Sequence, residues 1–212
     1  RALLEKVRFE IATSLGLRKN ELIFTSGATE SNNAVFAHLG KSIKSKSGCL
    51  ISPFEHSSVI ESAKYWFEGR IHFLPTNEEG FVDSDRVLDI LNANDICLVS
   101  LMAANNESGV LQPWQEIARM CSSRGIHFHC DATQWIGKKT IDDFSLCSSF
   151  SASAHKFSGP KGVGWLASKQ PIQMQRGGGQ EGSLRGGTEN VPGIISLLTA
   201  WEELKSNLNI FN

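Results

Sequence analysis

Short apolar runs alternate with helical patterns along most of this chain, and that alternation restricts the possible fold more than any other feature. Runs rich in Ile, Val, Leu and Phe at residues 21–25, 49–52, 71–74, 95–102, 126–130, from Ser149, and at 163–167 read as strands bounded by turn residues. Helical spacing fills many of the gaps: Leu4, Val7, Ile11 and Leu15 before Gly16, then stretches near 28–39, 58–67, 83–91, 113–124 and 191–205. Strands separated by helices pair in parallel, because a crossover is needed to bring the chain back to the same end of the sheet. The expected fold is therefore α/β, a mostly parallel seven-stranded sheet with helices on both faces. A chain of 212 residues suits one such domain, which buries roughly 70% of the surface its unfolded form exposes.

Charge and cysteine usage narrow the function classes. The formal net charge is −1, with both signs interspersed, so electrostatics favours neither nucleic acid nor an anionic membrane as partner. No apolar run approaches the roughly 20 residues that span a bilayer, and the opening residues Arg-Ala-Leu-Leu-Glu-Lys-Val-Arg lack a signal peptide's apolar core. The chain starts inside a helical pattern without methionine, so a fragment of a longer polypeptide is expected. Its five cysteines, Cys49, Cys97, Cys121, Cys130 and Cys147, contain no C-x-x-C pair, and all but Cys121 fall in apolar strand-like runs. They read as reduced core thiols of a cytoplasmic protein.

Residues able to do chemistry gather where strands end. Residues 149–164 alternate apolar and small side chains as a buried strand does, then present Ser153, His155 and Lys156 before a glycine-rich turn. A lysine at the end of a buried strand is poorly hydrated, which makes its neutral amine available to attack a carbonyl; the alternative is a solvated loop lysine. After strand 21–25, Gly27, Ala28 and Thr29 open a helix. Free N–H groups and the helix dipole there suit an anion, or Thr29 is a plain cap. His56 sits in a strand-to-helix loop, where active-site residues of parallel sheets collect, or serves a surface or capping role. Asn105 and Asn106 just past strand 95–102 form a turn or hold a ligand oxygen. Asp131 ends a strand with no cation beside it in sequence, and a protonated heterocycle nitrogen would be a fitting partner. Six glycines in residues 177–190 rule out a packed element there.

In order along the chain, these segments resemble the cysteine desulfurase family, pyridoxal-phosphate enzymes of aminotransferase class V. The matches are Thr-Ser-Gly-Ala-Thr-Glu-Ser-Asn-Asn at 25–33, Glu-His at 55–56, Ala-Asn-Asn-Glu at 104–107 and His-Cys-Asp-Ala-Thr-Gln at 129–134. Ser-Ala-His-Lys at 153–156 with Gly-Pro-Lys-Gly at 159–162, and residues 177–192, complete the set. The resemblance implies pyridoxal 5'-phosphate as cofactor and no metal. Lys156 would hold it as a Schiff base and move the α-proton, and Asp131 would pair with the ring nitrogen. His56 would stack on the ring, and Asn106 and Gln134 would contact its phenolic oxygen. Ala28, Thr29, Ser153 and His155 would hold the phosphate. Thr188 would complete that site from the neighbouring subunit of a homodimer, since its loop has too little side chain to pack on its own domain.

The same resemblance implies conversion of L-cysteine to L-alanine and an enzyme-bound persulfide, serving iron–sulfur cluster assembly through a sulfur-acceptor or scaffold protein. Residues 1–212 would be the large cofactor domain, lacking an N-terminal segment and a C-terminal small domain that carries the persulfide cysteine. None of the five cysteines matches that cysteine, so this chain alone is expected to be inactive. Ala154 stands where the family commonly has glycine, and Gly182-Ser183 replaces a basic residue and glycine. A selenocysteine lyase, a class-V transaminase, or a dead remnant that binds cofactor or a partner are the alternatives.

Overall fold

The computed structural model describes residues 2–42, 47–139 and 144–208. Among them, strands form at Leu22–Thr25 (β1), Gly48–Ile51 (β2), Ile71–Phe73 (β3), Ile96–Ser100 (β4), His127–Asp131 (β5), Ser149–Ser153 (β6) and Gly164–Ser168 (β7). They make one sheet in the order β1-β7-β6-β5-β4-β2-β3. The strands from β3 to β6 in that order are parallel, and β7 runs antiparallel to both its neighbours. The reason lies in the connection: β6 reaches β7 through a short turn with Ser158 in the left-handed region (φ 66), and a turn without a crossover can only reverse the chain.

Among the described residues six α-helices accompany the sheet: Ala2–Ser14 (α1), Ala28–Ser42 (α2), Ser57–Trp66 (α3), Ser84–Ala93 (α4), Trp114–Ser122 (α5) and Val191–Leu208 (α6). Alternate strand residues feed two separate apolar layers. Cys49, Ile51, Leu98 and Leu166 pack with Val35, Phe36, Val59 and Phe67 of the α2 and α3 side. Leu50, Val99, Phe128, Phe150 and Trp165 pack on the opposite face with Val7, Val87, Trp114 and Trp201, from α1, α4, α5 and α6. The expected α/β fold with helices on both faces is what forms. Element ends differ by a few residues, as fraying ends do; α2, for instance, continues to Ser42 rather than stopping near 39. Of the polar connection read at 41–48, residues 43–46 lie outside the described residues. No described helix is long and apolar enough to cross a membrane.

The glycine-rich loop requires a correction. It does pack on its own domain, through a short turn at Gln180–Ser183 that buries Glu181. Both terminal guanidinium nitrogens of Arg8 on α1 donate to the Glu181 carboxylate, at 2.6 and 2.7 Å, and Phe24 N on β1 donates to it at 2.9 Å. Arg185 adds a second tether, donating to Glu30 on α2 at 2.9 Å. Glycine content describes how freely a loop can bend; it says nothing about two charged side chains that find distant partners.

Candidate active site

Parallel strands present their C-terminal ends at one edge of a sheet, and ligands of such folds bind there. Here β1 turns at Gly27 into α2, and Ala28 N donates to Ser153 Oγ at 2.8 Å, drawing the start of α2 onto the end of β6. Glycine at 164 makes that approach possible: a Cβ there would strike the Ala152 carbonyl and lie 2.7 Å from Gly27 Cα. β2 leads to His56, which caps α3 by accepting from Ser58 N at 3.1 Å through Nδ1. Past β4 the two amides divide their tasks. Asn105 closes the turn, its Oδ1 accepting from Glu107 N and Ser108 N at 2.9 and 2.8 Å, while Asn106 faces the site. β5 delivers Asp131, Thr133 and Gln134, and the turn Ala154–Phe157 after β6 carries His155 and Lys156.

Ala28, Thr29, His56, Asn106, Asp131, Gln134, Ser153, His155 and Lys156 meet around one cavity of about 190 Å³. Thr188 does not. It is exposed and borders a separate hollow of about 120 Å³ with Ser26 and Arg185. Nor does Thr188 cap α6, because Asn190 Oδ1 takes that position, accepting from Gly193 N at 3.2 Å. A wider hollow of about 580 Å³ adjoins the main cavity through His56 and Asn106 and is walled by Glu55, Glu78, Glu79 and Glu107.

The electrostatics of the cavity are polarised. At one end His155, Lys156 and Lys138 stand together, Lys138 Nζ donating to the Lys156 carbonyl at 3.3 Å. Partial burial, and then the charge of Lys156, lower the Lys138 pKa. What burial it has, followed by Lys156, Lys161 and Lys138, holds His155 below the ordinary imidazole value. Lys156 itself is exposed, so the sequence expectation of a desolvated strand-end lysine is corrected: the turn carries it out of the sheet to the cavity mouth. At the other end Asp131 accepts, among the described residues, from neutral donors, Asn32 Nδ2 at 2.8 Å and Thr133 N at 3.0 Å. Beside it, full burial and then the Asp131 charge push the Glu55 carboxyl well above the usual carboxylate range. Glu55 Oε1 accepts from Met102 N at 2.6 Å and Oε2 has no partner.

These features suit pyridoxal 5'-phosphate. A carboxylate with no cationic partner among the described residues suits a protonated ring nitrogen, and a cationic rim with a helix start suits an anion. Thr133 Oγ1, which borders the cavity, is buried without a hydrogen-bond partner, as a group reserved for a ligand would be. Sequence reading missed Thr133, Ser58 and Asn32; only Thr133, between Asp131 and Gln134, had a local signal. None of the five cysteines borders the cavity. Burial pushes Cys49 and Cys121 up to about 12 and Cys97 up to about 11, which keeps them as thiols.

Residues 1–211 match the family model described as aminotransferase class-V. The chain is 40% identical to cysteine desulfurase IscS of Dictyoglomus turgidum over 212 residues, covering 95% of this chain and 53% of that protein. A solved NifS-like protein aligns with a TM-score of 0.91 and 36% identity, over 98% of this chain and 59% of its own. SspA, solved in complex with cysteine, aligns with a TM-score of 0.88 and 32% identity, over 95% of this chain and 60% of its own. The chain thus spans about half the length of the curated relatives it matches. With the sheet order, the strand-end cavity and the family match in agreement, the chain belongs to the class-V aminotransferase family and is similar, within it, to the cysteine desulfurases.

Proposed function

We propose that this chain is the cofactor-binding part of a pyridoxal-phosphate-dependent cysteine desulfurase, which converts L-cysteine to L-alanine and retains the sulfur as an enzyme persulfide. The observation that carries the reading is the single cavity that joins Lys156, His56 and Asp131 to the start of α2. When bound, pyridoxal 5'-phosphate supplies an electron sink for the substrate carbon. Thr29, Ser153, His155 and the first N–H groups of α2 hold its phosphate, and Asp131 keeps a proton on the ring nitrogen. His56, fixed by its capping bond, offers a flat face for stacking, while Asn106 and Gln134 reach the ring oxygen. Lys156 Nζ would hold the cofactor covalently and would move the α-proton.

A thiolate elsewhere in the polypeptide attacks the substrate sulfur; an S–S bond forms, the C–S bond breaks, and its electron pair stays on carbon, which takes a proton. None of the five cysteines lines the cavity and four of them are buried, which supports an outside source for that thiolate. Thr188, exposed and released from capping, is the residue we assign to the phosphate site of a neighbouring subunit in a homodimer. A reducing cytoplasmic setting and delivery of sulfur to an acceptor or scaffold protein for iron–sulfur clusters belong to the same proposal, which five unpaired thiols support.

Borohydride reduction of the loaded full polypeptide, followed by peptide mapping, tests the assignment. The pyridoxyl group is expected on Lys156, and label on Lys161 or Lys138 instead would overturn it. Asp131→Asn is expected to retain cofactor but to slow α-proton exchange about 10²–10³-fold, or roughly 2.7–4 kcal/mol, the loss typical of one fixed electrostatic stabiliser. Exchange at the wild-type rate, measured by deuterium uptake into a bound amino acid, would remove Asp131 from the mechanism.

A further inference from the structure

The layer beneath α2 contains a polar cluster where apolar packing would be the default. Alternation along β5 and β6 sends Phe128, Cys130, Phe150 and Ala152 into the larger apolar layer. Their neighbours His129, Asp131, Ser149 and Ser151 turn toward α2 instead, and all are buried. Above them sits Asn32, 0% exposed. Its Nδ2 donates to Asp131 Oδ2 at 2.8 Å and to Ser58 Oγ at 2.9 Å. Its Oδ1 accepts from Ser151 Oγ at 2.6 Å and from His129 Nε2 at 2.9 Å. Both N–H groups and both lone pairs are in use, the full capacity of an amide.

The hydrogen-bond directions follow from Asp131. A carboxylate only accepts, so the Asn32 nitrogen faces it and the Asn32 oxygen faces His129, which must carry its hydrogen on Nε2. His129 Nδ1 then accepts from Ser149 Oγ at 2.9 Å. On the other arm, Ser58 Oγ accepts from Asn32 and donates to His56 Nδ1 at 2.8 Å. One amide therefore links the carboxylate assigned to the cofactor's ring nitrogen with the imidazole assigned to its ring face.

We propose that Asn32 is a positioning residue that sets the Asp131 carboxylate and the His56 ring in register with each other, so that a bound heteroaromatic ring is gripped at its nitrogen and its face in one orientation. The inference rests on reading the cavity as a pyridoxal 5'-phosphate site. A purely structural Asn32 would affect stability alone; a positioning Asn32 also governs how the ring is held.

The test compares Asn32→Ala, Ser58→Ala and Ser151→Ala in the full polypeptide. Three quantities are measured: the Kd for pyridoxal 5'-phosphate by absorbance titration, the induced circular dichroism of the bound ring, and the melting temperature of the cofactor-free protein. Asn32→Ala is expected to weaken binding about tenfold and alter the dichroic band, by analogy with loss of an orienting partner behind a metal-binding side chain. Ser58→Ala cuts only the His56 arm and is expected to alter the dichroism. Ser151→Ala removes one donor to the same amide without touching Asp131 or His56, and is expected to change the melting temperature alone. If Asn32→Ala binds and orients the cofactor as Ser151→Ala does, the proposal fails. Should Asn32→Ala not fold, Ser58→Ala decides, and unchanged dichroism there overturns it. A wild-type protein that takes up no pyridoxal 5'-phosphate overturns the reading beneath it as well, whereas normal wild-type loading with an indifferent Asn32→Ala overturns this inference only.

Discussion

Glu181→Ala is expected to destabilise the protein by roughly 3–5 kcal/mol, the range for removing one partner of a buried ion pair. The Glu181 side chain is 1% exposed and that of Arg8 8%. Without the carboxylate, the Arg8 guanidinium keeps its bond to the Leu22 carbonyl at 2.7 Å and loses both bonds to Glu181, while Phe24 N on β1 loses its acceptor. The loop suffers too, because Glu181, Gly182 and Ser183 hold φ values of 48, 63 and 67°, and two of these are non-glycine residues in the left-handed region. Exposed pairs set the contrast: Lys64–Glu61, at 2.7 Å with side chains 61% and 68% exposed, contributes about 0–1 kcal/mol. Denaturant unfolding of Glu181→Ala beside Glu61→Ala measures the difference. A Glu181→Ala loss no larger than that of Glu61→Ala would mean that the pair is not closed in solution. Replacing Arg8 and Glu181 together by Met and Leu should recover much of the loss, since no buried charge is then left alone.

The histidines beneath α2 make the fold sensitive to acid. Burial, and then the proximity of His127, depress His129 to about 3; burial, and then His38, depress half-buried His127 to about 4. An unfolded histidine titrates near 6.5, so below that pH the unfolded chain binds the proton and the native His129 does not. The stabilisation from its neutral form is complete above pH 6.5 and is lost as pH falls toward 3, at about 1.4 kcal/mol per pH unit. Glu55 acts in the opposite sense: its raised pKa gives stability that is present at low pH and is lost as pH rises above the ordinary carboxyl value. The measurement is therefore a difference. Between pH 6.5 and 4.5 the stability gap between wild type and His129→Gln, whose amide can still donate to Asn32, should shift by about 2 kcal/mol in favour of the variant. A gap that stays constant over that window would show that His129 is not held neutral.

What could be read in advance was chemistry that is local along the chain. Gly27 with Thr29, Glu55 with His56, Asp131 with Gln134, and His155 with Lys156 each occupy a single strand end, so the motif and the structural position coincide. The missing parts join distant segments. Arg8 and Glu181 are 173 positions apart, and in sequence each reads as an ordinary surface charge. Asn32 and Asp131 are 99 apart. The repeated His and Ser at alternate positions of β5 and β6 were visible as letters, but their meaning depends on these two strands being neighbours beneath α2. The exposure of Lys156 depends on the turn that follows β6, which a strand pattern does not describe.

The position of β1 has a consequence for how the protein is made. β1 precedes the other described strands in the chain, yet among them it pairs with β7, which follows all the rest. At about 5–20 residues per second, the nascent strand waits roughly 7–30 s after Thr25 for its partner to be completed. Throughout that interval its ladder bonds to β7 are unmade, and the Glu181 carboxylate that pairs with Arg8 has yet to be synthesised. An apolar strand left open for so long is a natural target for chaperone capture on the ribosome.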